Sequence, residues 1–165
     1  MILSCCMGFF YMVAALAAPV HELDNFSFVI GEWEGIFTLH PSPRIPSETR
    51  VPAVMVSRWG PERAWIETES QMQSPAMGLY AVKVLVRFDP KEQIYDSFVM
   101  NTAGIAARYS GERTGKKLVF TGTIGNITQR VTYESLSDTE VSFIVEQSTD
   151  EMNFSPHSDV IWRRK

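Results

Sequence analysis

The chain has 165 residues, of which 45% are hydrophobic and 21% charged. This composition is typical of one soluble globular domain that is long enough to bury a core without metal or disulfide support. The net charge of −4 gives no basic surface for phosphate backbones and argues against nucleic acid as a partner.

The first twenty residues carry no charged side chain, and their apolar run 7–18 ends in Ala15-Leu-Ala17. An apolar run followed by small residues predicts a signal peptide over residues 1–17, which leaves a secreted or periplasmic domain over residues 18–165. A retained N-terminal membrane anchor is the alternative, because Lys and Arg are missing ahead of the run. Cys5 and Cys6 both lie in this segment, so its removal excludes thiol chemistry and disulfides.

Alternation of apolar and polar residues dominates the rest of the chain and predicts about ten strands. In chain order they cover residues 28–39, 51–58, 63–72, 81–88, 94–100, 105–111, 117–124, 127–136, 140–147 and 160–164. Turn residues such as Gly60-Pro61, Asp89-Pro90 and Gly125-Asn126 separate them.

Short links between strands, with no apolar period suited to a crossover helix, predict an all-β fold. We expect an up-and-down antiparallel β-barrel, because closure removes exposed sheet edges. Residues 39–52 contain four prolines and are predicted to form a long irregular loop. In a barrel this loop would lie at the rim, where it could act as a lid.

The first predicted strand places Gly31, Trp33 and other apolar residues on odd positions and polar residues on even ones. This Gly-x-Trp pattern resembles the calycin group, which comprises lipocalins and their cavity-bearing relatives. The resemblance implies that Trp33 closes the base of a barrel beneath a cation from a late strand. Arg163 or Arg164 could supply this cation, and Arg163 is taken as the motif residue together with Gly31 and Trp33.

A closer similarity is to a bacterial lipocalin-like family of unknown function, and it covers nearly the whole chain after residue 17. The matching pieces are Gly31-Glu-Trp33-Glu-Gly35, Phe88-Asp-Pro90, Ile94-Tyr95-Asp96, Ala103-Gly104, Tyr109-Ser-Gly111, Lys117 to Gly122 and Trp162-Arg163. This resemblance implies a barrel fold and assigns no reaction.

The sequence also resembles nitrobindin, a haem-binding barrel, more distantly. Gly31, Trp33 and Gly35 match its first motif, whereas Phe37 replaces a later glycine. The resemblance implies His157, near the C-terminus, as the haem ligand. A solvated loop histidine is the alternative for this residue.

Candidate ligand-binding residues are the large apolar side chains on the apolar phase of their strands, together with two arginines. The apolar candidates are Phe37, Phe98, Met100, Tyr109, Phe120, Tyr133 and Phe143. Arg108 and Arg130 fall on the opposite phase; if inward, either would bind a carboxylate or phosphate, and otherwise both lie on the outer face. The alternative for the aromatic residues is that they fill a solid core.

Three functions follow: binding of a small hydrophobic or amphipathic molecule, a haem barrel with redox or isomerase activity, and a ligand-free interaction domain. Motifs for nucleophilic catalysis, phosphate binding and metal binding are missing from the sequence. We therefore expect a small-molecule binder without catalytic residues, metal or cofactor, with haem as the alternative cofactor.

Overall fold

The computed structural model describes residues 20–43, 45–74 and 78–165, and in this part the chain forms ten strands. They are β1 (Gly31–Leu39), β2 (Thr49–Trp59), β3 (Ile66–Ser74), β4 (Gly78–Asp89), β5 (Ile94–Asn101), β6 (Ala106–Thr114), β7 (Lys117–Ile124), β8 (Ile127–Ser137), β9 (Glu140–Ser148) and β10 (Ser155–Arg164). A short helix, α1 (Val20–Asp24), precedes them. The predicted all-β fold is confirmed.

Each strand pairs antiparallel with its neighbour in sequence, and β10 returns to pair with β1, so the sheet closes into a barrel. The closing pair sets Trp33 opposite Arg164 and Leu39 opposite Ser158. Because pairing is complete around the ring, none of these strands is left as a free edge. The up-and-down connectivity predicted from the short turns is confirmed.

We call the end of the barrel at which β1 begins the base, and the opposite end the rim. Helix α1 and the 3-10 turn Ser27–Val29 lie at the base. Phe26, 1% exposed, meets the inward rings of Phe120 and Tyr133 edge to face, with centroids 6.1 and 5.1 Å apart. The segment ahead of β1 therefore fills the base with aromatic side chains.

Element bounds differ from the sequence prediction where local turns replace extended chain. β1 begins at Gly31, not at residue 28, because Ser27–Val29 forms the 3-10 turn.

Pro52 lies inside β2, although the sequence predicts it to be in a loop. The ladder from β2 to β3 begins one residue later, at Ala53, so the missing N–H of Pro52 removes none of those hydrogen bonds.

The predicted signal peptide, residues 1–17, lies outside the described residues and stays a prediction. Within the described part of the chain, every helix is too short or too polar to cross a membrane.

The Gly31-x-Trp33 motif packs against the end of β10. The Arg164 guanidinium lies 4.2 Å from the Trp33 ring centroid and donates to the carbonyl of Ile30 at 2.7 Å. The Trp33 indole N–H donates to the carbonyl of Val29 at 2.7 Å. Gly31 has φ +133°, and a Cβ there would lie 2.3 Å from Arg164 Nη1. Glycine is therefore required both by the backbone and by the guanidinium above it.

The expectation that Arg163 closes the barrel is wrong. Arg163 pairs with Glu34 on the outer face and donates to Glu140 at 3.1 Å. Successive side chains of a strand point to opposite faces, so only Arg164 shares the inward side with Trp33.

This arrangement predicts unequal effects of two neighbouring arginines on stability. We expect Arg164→Ala to lower the free energy of unfolding by about 1–2 kcal/mol, through loss of the cation–π contact and of its hydrogen bonds. Arg163→Ala, the matched control, should lower it by about 0.5 kcal/mol or less, because an exposed ion pair contributes little. Urea denaturation measures both, and equal losses would contradict the assignment of Arg164.

Candidate functional site

On β4 to β8 the inward-facing residues are buried near the base and partly exposed nearer the rim, whereas on β1, β2, β3 and β10 they stay buried towards the rim, as at Leu39, Val51, Met72 and Ser158. On β4, Val86 is 1% exposed, whereas Val84 and Val82 on the same face are partly exposed. The same change occurs on four further strands, from Ser97 to Val99, from Tyr109 to Ala107, from Phe120 to Gly122 and from Tyr133 to Val131. Since these residues face the interior, their partial exposure indicates that the rim half of the barrel beside β4 to β8 is packed less closely than the base. We call this part of the interior the rim cavity.

Two pairs of neutral side chains, each joined by a hydrogen bond, border the rim cavity. The Tyr109 hydroxyl donates to Gln129 Oε1 at 2.6 Å, and the Asn101 amide donates to the Tyr80 hydroxyl at 2.8 Å. A small number of placed polar groups among apolar side chains is typical of small-molecule sites.

Tyr109 is positioned by a glycine on the neighbouring strand. A Cβ at Gly122 would lie 2.6 Å from the Tyr109 ring, so the ring occupies the space that a side chain would need. Burial, and to a smaller extent Tyr80, raises the pKa of Tyr109 to about 12. Burial likewise raises the pKa of Tyr80, against the hydrogen bond from Asn101. Both phenols are therefore neutral over the physiological pH range.

The inward-facing strand positions in the rim half carry no charged side chain in the described part of the chain. Among the strand residues that the structure describes, the inward phase includes only two charged residues, Arg113 and Arg164, and both lie at the base. Burial of an unpaired charge is costly, which explains why the groups around the rim cavity are hydroxyls and amides.

Residues 40–43 and 45–48, from the loop between β1 and β2, lie at the rim as expected. Ile45 packs against the buried core, and His40 Nε2 contacts Asp159 Oδ2 at 2.5 Å. The backbone N–H of His40 donates to the backbone carbonyl of His157 at 2.9 Å, which joins the loop to β10. His157 lies at a β-bulge between Pro156 and Ser158. Burial, and secondly the nearby His40, lower its pKa, so its imidazole is neutral at pH 7.

Five of the predicted aromatic residues face the interior. Phe120 and Tyr133 belong to the packed base, where their rings lie 6.1 Å apart at 87°. Phe143 contacts both Tyr133 and Phe37, at 4.9 and 6.1 Å, and it is partly exposed. Phe37 and Phe143 thus extend the aromatic base towards the rim cavity. Tyr109, the fifth residue, borders that cavity through its hydrogen bond to Gln129.

The expectation that Phe98 and Met100 line the interior is wrong, because both are exposed on the outer face. The inward phase of β5 carries Ser97 and Val99 instead. The ring of Phe98 lies beneath two outer-face guanidiniums, at 6.0 Å from Arg87 and 5.8 Å from Arg108. An aromatic residue on this strand therefore supports surface arginines rather than the core.

Arg108 and Arg130 both lie on the outer face, which confirms the outer-face alternative; the expectation that either points inward to bind a ligand headgroup is wrong. Arg108 and Arg87 bind opposite oxygens of the fully buried Asp96, at 2.6 and 2.9 Å. Burial acts to raise the pKa of Asp96, but the two arginines outweigh it and lower the pKa. Arg130 forms a two-point pair with Glu146, at 2.8 and 3.0 Å.

Sequence reasoning omitted several residues that face the rim cavity, namely Tyr80, Val84, Val99, Asn101, Gln129 and Val131. The valines were detectable, because Val84 belongs to the clearest alternating run of the chain. The polar residues carried a weaker signal. Gln129 shares its phase with Val131, and Asn101 shares its phase with Val99.

A second concave surface lies outside the barrel. Ile36, Val54 and Leu79 are exposed there and line a shallow groove of about 480 Å³, bordered by Glu34 and Arg163. The groove mixes apolar and charged side chains on a solvated face. It is the feature to which an interaction-domain function would apply.

The raised pKa of Tyr109 predicts a pH dependence of stability. Its folded value of about 12 exceeds the value of about 10 in an unfolded chain, so the folded state holds the phenolic proton more tightly. The free energy of unfolding should fall as the pH rises from about 10 to about 12. In Tyr109→Phe this fall should be shallower, as measured by urea denaturation across that range. An identical slope in the variant would show that Tyr109 is not the group responsible.

No family model matches the sequence, and no curated protein matches it. Among solved structures, the chain is similar to Rv2717c from M. tuberculosis, with TM-score 0.67, 16% identity, and 90% of this chain and 98% of that chain covered. It is also similar to the S-type phycobiliprotein lyase CPES from Guillardia theta, with TM-score 0.60, 10% identity, and 90% and 94% covered. These similarities show the barrel fold.

Proposed function

We propose that the protein binds a small hydrophobic or amphipathic molecule in the rim cavity. The observation that carries this proposal is the partial exposure of inward-facing residues on β4 to β8, directly above a base packed with aromatic rings. A solid core would leave these valines as buried as Val86.

The surroundings of the cavity support the same function. Val82, Val84, Val99 and Val131 supply apolar surface, and the tyrosine and amide pairs supply the few polar groups that orient a ligand. The similarity to a phycobiliprotein lyase adds support for a function that involves a small molecule. Location outside the cytoplasm remains a prediction from residues 1–17.

A second candidate, haem binding, is favoured by one observation. His157 is neutral at pH 7 and displaced from the regular ladder by its bulge, and a neutral imidazole is the form that binds haem iron. When bound, haem would supply redox or ligand-binding chemistry. Hemin added to the purified protein should then give a Soret band that His157→Ala loses and His40→Ala keeps. A band that survives in His157→Ala would exclude His157 as the ligand.

The main proposal predicts that filling the cavity blocks binding. We expect N-phenyl-1-naphthylamine, an apolar fluorophore, to bind the unmodified protein, and Val99→Phe to weaken its binding about ten-fold or more by occupying the space. Because that space is available, Val99→Phe should cost less than about 1 kcal/mol of stability, whereas overpacking a filled core costs about 1–3 kcal/mol.

Val54→Phe is the matched control, because Val54 is exposed on the outer face. Its affinity should equal that of the unmodified protein in a fluorescence titration. A barrel that binds no apolar fluorophore, or equal affinity in all three proteins, would count against the rim cavity as the binding site.

A further inference from the structure

The hydrogen bonds of Asn101 fix the orientation of its side-chain amide. Its Oδ1 accepts two backbone N–H groups, from Ala103 at 3.0 Å and from Ile105 at 3.1 Å. An amide nitrogen could not replace the oxygen there, because it would present hydrogens to both donors. The Nδ2 group of Asn101 therefore faces Tyr80 and donates to its hydroxyl at 2.8 Å.

This orientation determines what the Tyr80 hydroxyl can do. Since its oxygen accepts a hydrogen bond from Asn101, its own proton must be donated elsewhere. Within residues 20–43, 45–74 and 78–165 this proton has no acceptor. The neighbouring Tyr109 hydroxyl does not compete with Tyr80 as a donor to a bound molecule, because its proton is directed to Gln129.

Tyr80 is also well placed to reach a bound molecule. It lies on the inward phase of β4, two residues from Val82 towards the rim, and its side chain is half-buried against the core. A hydroxyl that already accepts a hydrogen bond is a stronger donor, because hydrogen bonds in a chain polarise one another.

We propose that the ligand is an uncharged molecule with an apolar chain and a carbonyl oxygen, and that the Tyr80 hydroxyl donates to this oxygen. The proposal rests on the proposed function, since it names the chemical class of ligand for the rim cavity. The absence of inward charge from the rim half of the described strands supports it. An ionised headgroup would lose its hydration without gaining a counter-ion.

The test compares three molecules with the same chain length as competitors of N-phenyl-1-naphthylamine: 2-dodecanone, dodecanoate and dodecane. At about pH 8 dodecanoate is fully ionised, so only charge and hydrogen bonding differ along the series. We expect 2-dodecanone to bind about ten-fold more tightly than dodecanoate, and more tightly than dodecane. Equal or tighter binding of dodecanoate would overturn the proposal, whereas failure of the fluorophore itself to bind would overturn the proposed function.

A variant isolates the hydroxyl. Tyr80→Phe should weaken 2-dodecanone about five-fold, the effect of one neutral hydrogen bond, and leave the affinity for dodecane unchanged. Tyr95→Phe is the control, because the Tyr95 hydroxyl donates to the Glu22 carbonyl at the base. It should leave both affinities unchanged.

A spectroscopic measurement separates a direct contact from a general change of shape. The infrared carbonyl stretch of bound 2-dodecanone should lie lower in the unmodified protein than in Tyr80→Phe, because a donated hydrogen bond weakens the C=O bond. Identical stretching frequencies, or an unchanged affinity for 2-dodecanone in Tyr80→Phe, would show that Tyr80 does not contact the ligand.

Discussion

The contact between the Arg164 guanidinium and the Trp33 ring connects the last strand of the barrel to the first. The guanidinium carbon lies 4.2 Å from the ring centroid, at the place where β10 pairs with β1. Among the ten described strands, this is the one pair whose members are far apart in sequence. Gly31 leaves the space that this guanidinium occupies. Without this pair of strands the sheet would have two open edges and no enclosed interior.

Closure at this end also decides how the interior is used. Trp33, Phe26 and Tyr133 fill the base, so that half of the barrel behaves as an ordinary hydrophobic core. Charged groups are satisfied elsewhere: on the outer face Asp96 is held between two arginines, and Arg130 pairs with Glu146. What remains inside the rim half is apolar surface with neutral hydroxyl and amide groups. The cavity is therefore lined by neutral groups, because the packed core lies at the base and the ion pairs lie on the outer face.

The sequence predicted the fold well because the signal for it is local and repeated. Alternation from Val82 to Phe88 identifies β4 directly, and turn residues such as Asp89-Pro90 mark where strands end. The same signal identified Tyr109 and Phe143 as inward-facing. The resemblance to a bacterial lipocalin-like family remains a prediction.

Site residues were harder to predict because alternation gives two phases and polarity alone does not choose between them. On β5 the larger apolar residues, Phe98 and Met100, lie outside, on the same phase as Asp96, which two arginines from the neighbouring strands hold on the outer face. Asn101 and Gln129 are polar yet face inward; the phase that each shares with a valine is a weak signal, and the register with the neighbouring strands establishes it. The choice between Arg163 and Arg164 depended likewise on a single residue of register.

The central claim is that the rim half of the barrel interior is a binding cavity, and valine methyl groups report on it directly. A methyl-resolved NMR titration with 2-dodecanone should shift the signals of Val82, Val84, Val99 and Val131. It should leave those of Val86 and Val141 at the base, and of Val54 outside, unchanged. Shifts confined to Val54 and its neighbours, or no shifts at saturating ligand, would contradict the account.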